Sequence, residues 1–97
     1  MRPMVKEHVM ISITPGQEQI FEQKMVKGCA LLLGADGAIR VELLRGIEHP
    51  STFVLMIEWD SIDSHTAFTT TEDFAAFREL VGPMFDSKPE MQHFLVV

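Results

Sequence analysis

The segment Thr52 to Trp59 constrains this chain more than any other. Phe53, Leu55, Ile57 and Trp59 occupy one side of an extended stretch, and Val54 and Met56 occupy the other. A strand apolar on both sides belongs inside a sheet, with cover on both faces. The rest of the sequence must supply that sheet and that cover. Val5, Glu7, Val9, Ile11 and Ile13 alternate with Lys6, His8, Met10 and Ser12, the period-2 pattern of a strand. A further strand is expected from about Ala38 to Arg45, with Ile39, Val41 and Leu43 opposite Arg40, Glu42 and Leu44. The last, Met91 to Val97, is ordered only if it pairs.

Between these lie helices. Thr14 is placed to cap, Pro15 to occupy the first helical position and Gln17 to complete a capping box. Ile20, Phe21, Met25, Cys29 and Leu32 then recur at helical spacing to about Leu33, before the turn Gly34-Ala35-Asp36-Gly37. Asp60 or Ser61 caps a short helix with Ile62, His65 and Phe68. Threonines 69–71 interrupt it, and Asp73, three residues after Thr70, starts another with Phe74, Phe77 and Val81 that Gly82-Pro83 ends. The order β-α-β-β-α-β is the α+β, ferredoxin-like arrangement: a four-stranded antiparallel sheet with its helices on one face. A single domain is expected over residues 3–97, almost end to end. The opposite sheet face is left bare, and a second copy packed sheet to sheet is the economical cover.

Composition excludes several functions. Fourteen acidic side chains against eight basic ones give a net charge of −6, and no basic patch offers itself to nucleic acid or to an anionic membrane. No apolar run approaches the roughly 18 residues of a membrane span. Met1 to Glu7 carries no apolar leader core, so a cytoplasmic protein is expected. The single Cys29 allows neither an internal disulfide nor a cysteine-based zinc site.

Chemistry then falls to the histidines. There is no phosphate-binding glycine loop, nucleophile elbow or His pair at i, i+4 spacing. His49, beside Glu48 and Pro50, reads as solvated, and His8, opposite Val9 and Ile11, suits an interface hydrogen bond. His65 sits three residues from both Ile62 and Phe68, and His93 lies between apolar strand neighbours. Each is either a buried neutral imidazole with one hydrogen bond or a general base facing a cavity. Nothing local sets a ligand geometry, so no metal is expected. Trp59, Phe68, Phe74 and Phe77 fit a core, or an apolar cleft between sheet and helices with His65 inside it and Arg78 nearby.

The stretches Ile13 to Gln17, Glu42 to Glu48, Phe53 to Ser61 with His65, and Gln92 to Phe94 together resemble the antibiotic biosynthesis monooxygenase domain. The resemblance covers nearly the whole chain and implies a dimeric α/β barrel. It implies cofactor-free oxidation of a quinol- or anthrone-like aromatic by dioxygen. Trp59 matches the family's pocket tryptophan; His65 and His93 are the acid/base candidates, and Phe68, Phe74, Phe77 and Arg78 the substrate-binding ones. Other members of that family degrade haem with an Asn on the first strand and a His on the second main helix. Those positions fall here near Val9 and near Phe77 or Arg78, which points away from haem. A non-enzymatic barrel that binds a small apolar ligand, or serves as a pathway accessory, is the alternative.

Overall fold

The computed structural model describes residues 4–97; Met1 to Pro3, which include part of the expected leader-free start and the first residue of the 3–97 domain, lie outside the described residues. The elements run β1 (Val5–Ser12), α1 (Glu18–Leu33), β2 (Ala38–Arg45), β3 (Thr52–Trp59), α2 (Ile62–Phe68), α3 (Glu72–Val81), a 3₁₀ turn (Gly82–Met84) and β4 (Glu90–Leu95). The sheet is antiparallel throughout, in the order β2-β3-β1-β4. The doubly apolar strand, β3, is indeed interior, between β2 and β1. This is the ferredoxin-like arrangement, with the second helical segment split in two.

Alternation in β1 and β3 sets the two sheet faces. Val5, Ile11, Phe53, Leu55, Ile57 and Trp59 turn inward and are buried with Phe21, Met25 and Leu32 of α1 and Phe77 and Val81 of α3. Helices α1 and α3 approach closely because Gly28 has no side chain. A Cβ there would lie 3.2 Å from a ring carbon of Phe77. Met10, Leu44 and Phe94 are 49%, 45% and 41% exposed on the outer side, with Val54 and Met56 half-buried beside them. A single chain leaves this apolar surface uncovered.

Several local expectations are corrected. Helix α1 begins at Glu18, and Gln17 at its N-cap makes no side-chain cap; Pro15-Gly16 form a turn instead, with Gly16 at φ 95°. Gly16 N–H donates to Glu18 Oε1 at 2.8 Å, so the carboxylate does what Thr14 was expected to do. Helix α3 is capped by Thr71 rather than Thr70, the Thr71 hydroxyl accepting from Phe74 N–H. In β2 the pairing slips between Ala38 and Arg40, and Ile39 is left exposed rather than facing the core. Ile20 too is exposed, on the flank of α1. Strand β4 spans Glu90–Leu95, beginning one residue before the expected segment and leaving Val96 and Val97 beyond it. No helix among the described residues is long and apolar enough to cross a membrane.

Candidate functional site

The inward face of β1 carries one residue out of character. Glu7 sits in a row with Val5, Val9 and Ile11, yet it is 4% exposed. A carboxylate so placed needs partners, because burying an unpaired charge costs several kcal/mol or roughly that order. Trp59, at the end of β3, supplies the first: its Nε1–H donates to Glu7 Oε1 at 2.8 Å.

Two histidines reach the same oxygen. His93 stands directly opposite Glu7 in the β1–β4 ladder, with Nε2 3.7 Å from Glu7 Oε1. His65 arrives from α2, with Nε2 3.6 Å from that atom. The rings of His65 and His93 lie 4.3 Å apart between centroids, and His65 meets the Trp59 ring edge-on at 5.6 Å. His93 Nε2 is buried with no hydrogen-bond partner. Burial pushes the His65 imidazole below its ordinary proton affinity; Glu7 opposes that shift and His93 adds to it.

Helix α2 is held in place at its N-terminus. The Ser61 hydroxyl accepts from Ser64 N–H, and Ser64 Oγ donates to Asp60 Oδ1 at 2.5 Å. Asp60 N–H in turn donates to the carbonyl of Gly37, which has φ 86°. A Cβ at Gly37 would run into Ser64 Oγ and Asp60 Oδ1, so glycine is required there to let α2, and with it His65, settle against β3.

Beside this cluster an open cleft of about 550 Å³ is lined by Val5, Ser61, Ile62, Asp63, His93, Phe94 and Leu95. Its size is that of a small-molecule site, mostly apolar with a few polar groups. It lies between the start of α2 and the end of β4, not where the aromatic residues alone suggested. The space expected between sheet and helices is filled. Trp59 and Phe68 pack at 5.9 Å and Phe68 meets Phe74 edge-on at 5.7 Å. Phe77 is buried against α1, and the Arg78 guanidinium lies over the Phe74 ring, 5.8 Å from its centre. The fold thus brings Trp59, His65 and His93 together and leaves Phe74, Phe77 and Arg78 outside that cluster. Glu7 did not stand out in the sequence. Its only signal is a carboxylate interrupting a run of inward β-branched residues.

The other histidines are elsewhere. His8 lies on the outer face, its ring 4.9 Å from that of Phe94, and His49 is exposed. Glu58, also on the outer face, pairs with Lys6 at 3.6 Å.

Residues 4–80 match the sequence profile of the antibiotic biosynthesis monooxygenase family. The chain belongs to that family. A structure from Bordetella bronchiseptica, described as a candidate antibiotic biosynthesis monooxygenase, is 33% identical, with 98% of each chain covered and a TM-score of 0.92. The uncharacterised Bacillus subtilis protein YczJ is 27% identical over 92 residues, covering 94% of this chain and 97% of its own. The same fold recurs in SnoaB, a cofactor-independent oxygenase from Streptomyces nogalater. There the identity is 17%, the coverage 95% of this chain and 91% of SnoaB, and the TM-score 0.83. Membership in this family points to monooxygenase chemistry.

Proposed function

We propose that the protein oxidises an electron-rich aromatic small molecule, quinol- or anthrone-like, with dioxygen and without a cofactor. The observation that carries this reading is His93 Nε2: a buried, unpartnered nitrogen on a residue that lines the cleft and is backed by a buried carboxylate. A phenolic O–H bound in the cleft meets the His93 ring at its wall, and Nε2 becomes its acceptor when that ring turns from Glu7 towards the cleft. The imidazolium that forms is stabilised by Glu7, with His65 beside it to share the proton. Val5, Ile62, Phe94 and Leu95 provide the apolar walls that disfavour water around the resulting anion.

The electron-rich anion then gives an electron directly to dioxygen. For an anthrone the balance closes without another reductant. The ring CH₂ becomes C=O, one oxygen atom stays on that carbon, and the other leaves with the two hydrogens as water. The four electrons of that change pass from carbon to dioxygen. The protein supplies shape, a proton acceptor and a carboxylate, which is the inventory of this cluster. SnoaB, a cofactor-independent oxygenase of the same fold, lends the reading support.

A second copy completes the site in this proposal. Phe94 lines the cleft and also belongs to the uncovered outer face with His8, Met10 and Leu44, so a partner packed on that face borders the cleft. The test is oxygen uptake by chelator-treated, flavin-free protein across a panel of quinols and anthrones. Uptake with stoichiometric quinone formation is the expected result. Ligand binding with no uptake anywhere in the panel overturns it in favour of a binding protein.

A further inference from the structure

Glu7, His65 and His93 are contributed by β1, α2 and β4, and no short-range spacing in the sequence links them. We infer that these three side chains form a binding site for one divalent transition-metal ion, with an open coordination position facing the cleft. This is a second occupancy of the same residues, and it does not depend on the oxidation proposed above.

The geometry argues first. One ligand atom from each residue lies within 4.8 Å of the others, and both imidazole nitrogens stand 3.6–3.7 Å from Glu7 Oε1. Around an ion with metal–ligand bonds of about 2.0–2.2 Å, neighbouring ligand atoms are roughly 3–3.5 Å apart. Each ring needs to move only a few tenths of an ångström towards Glu7 to reach that spacing, and a widest pair of up to 4.8 Å closes by about 1.3 Å through rotation of the imidazoles. As they stand, the two nitrogens are too far from the carboxylate for good hydrogen bonds yet converge on it, and His93 Nε2 has no other partner. Convergence without mutual bonding leaves room for something between them.

Donor chemistry narrows the ion. Two imidazoles and one carboxylate suit zinc, cobalt, nickel or ferrous iron, whereas calcium and magnesium want more oxygen ligands. Three protein ligands leave at least one position open, as in catalytic rather than structural sites. His93 borders the cleft, so that position is reached from there. Trp59 donates to that same Glu7 oxygen at 2.8 Å, the outer-shell support that orients metal ligands. The ion would take the imidazole lone pairs that accept a proton in the cofactor-free reaction, so the two occupancies exclude one another.

The test is Co²⁺ titration of chelator-stripped protein, followed by its visible absorption and by calorimetry. Expected are d–d bands saturating at one equivalent per chain, displaced by Zn²⁺. Glu7→Gln, His65→Asn and His93→Asn should each weaken binding by 100-fold or more, while His8→Asn and His49→Asn leave it unchanged. Far-ultraviolet circular dichroism checks that each variant is folded. If Glu7→Gln does not fold, His93→Asn decides, since its side chain is 22% exposed at the sheet edge. Absence of Co²⁺ bands at millimolar metal, or binding that survives in His93→Asn and is lost in His8→Asn or His49→Asn, overturns the assignment.

Discussion

Trp59 Nε1 donates a 2.8 Å hydrogen bond to Glu7 Oε1 in the buried interior, where the tryptophan is 0% and the glutamate 4% exposed. That bond ties the end of β3 to the middle of β1 and fixes the carboxylate on which two histidines converge. Its loss is expected to be costly. Trp59→Phe should destabilise the fold by about 2–4 kcal/mol, combining a lost charge-assisted bond with a cavity. A double-mutant cycle with Glu7→Gln, read by urea denaturation, should return a coupling of about 1–3 kcal/mol. Additive effects would show that the bond contributes nothing.

The two histidines should differ from their neighbours in turnover rather than in stability alone. His65→Ala and His93→Ala are each expected to lower kcat for quinol or anthrone oxidation by about 10²-fold or more, the scale of general base catalysis. Arg78→Ala, outside the cluster, should leave kcat within a few-fold of the parent. An oxygen electrode measures all three; kcat retained in both histidine variants would remove them from the mechanism.

Gly37 is far from the cleft in sequence but sets the seat of α2. Gly37→Ala combines a φ of 86° with a Cβ directed into Ser64 and Asp60. A loss of about 1–3 kcal/mol is expected. Because α2 carries His65, turnover should fall along with thermal stability. A variant as stable and as active as the parent would show that the Asp60–Ser64 clasp does not position this helix.

Glu18 offers a pH-dependent contact away from the site. The Ser51 hydroxyl, donating to Glu18 Oε2 at 2.6 Å, is the main cause that holds this carboxyl below its ordinary 4.5; the Gly16 amide and Arg45 assist. A carboxyl whose folded pKa is depressed stabilises the fold above the unfolded value, and that contribution fades as pH falls through the folded one. A carbon-detected NMR titration should place Glu18 below 4.5 and return it towards that value in Ser51→Ala. No change in Ser51→Ala would assign the shift to the backbone instead.

The outer face predicts assembly. With Met10, Leu44 and Phe94 each more than 40% exposed on one sheet face, the chain is expected to sediment as a homodimer burying more than about 1,200 Å² in total. Met10→Asp should shift it towards monomer at micromolar concentration. A parent chain already monomeric there would leave the face without a second copy.

The strands and helices were legible in the sequence, because periodicity is a local property. The period-2 runs of β1 and β3 and the helical spacing of Phe21, Met25 and Leu32 each report which side of an element faces the core. The doubly apolar β3 located the interior of the sheet, and the order of elements then left one topology. Two helix starts escaped: at α3 neighbouring threonines compete for the same amide, and at α1 Pro15-Gly16 turn the chain so that Glu18, not Thr14, accepts from Gly16; only the backbone path decides either. Tertiary structure alone decided the site. Glu7, Trp59, His65 and His93 are separated by up to 86 positions or roughly that span, yet the antiparallel register sets Glu7 against His93 and Val5 against Trp59. The aromatic residues that suggested a pocket filled it instead, since rings with nothing between them pack edge to face, and the cleft opened where α2 and β4 fail to meet. A buried carboxylate with three partners is a property of that packing, and no single stretch of chain contains it.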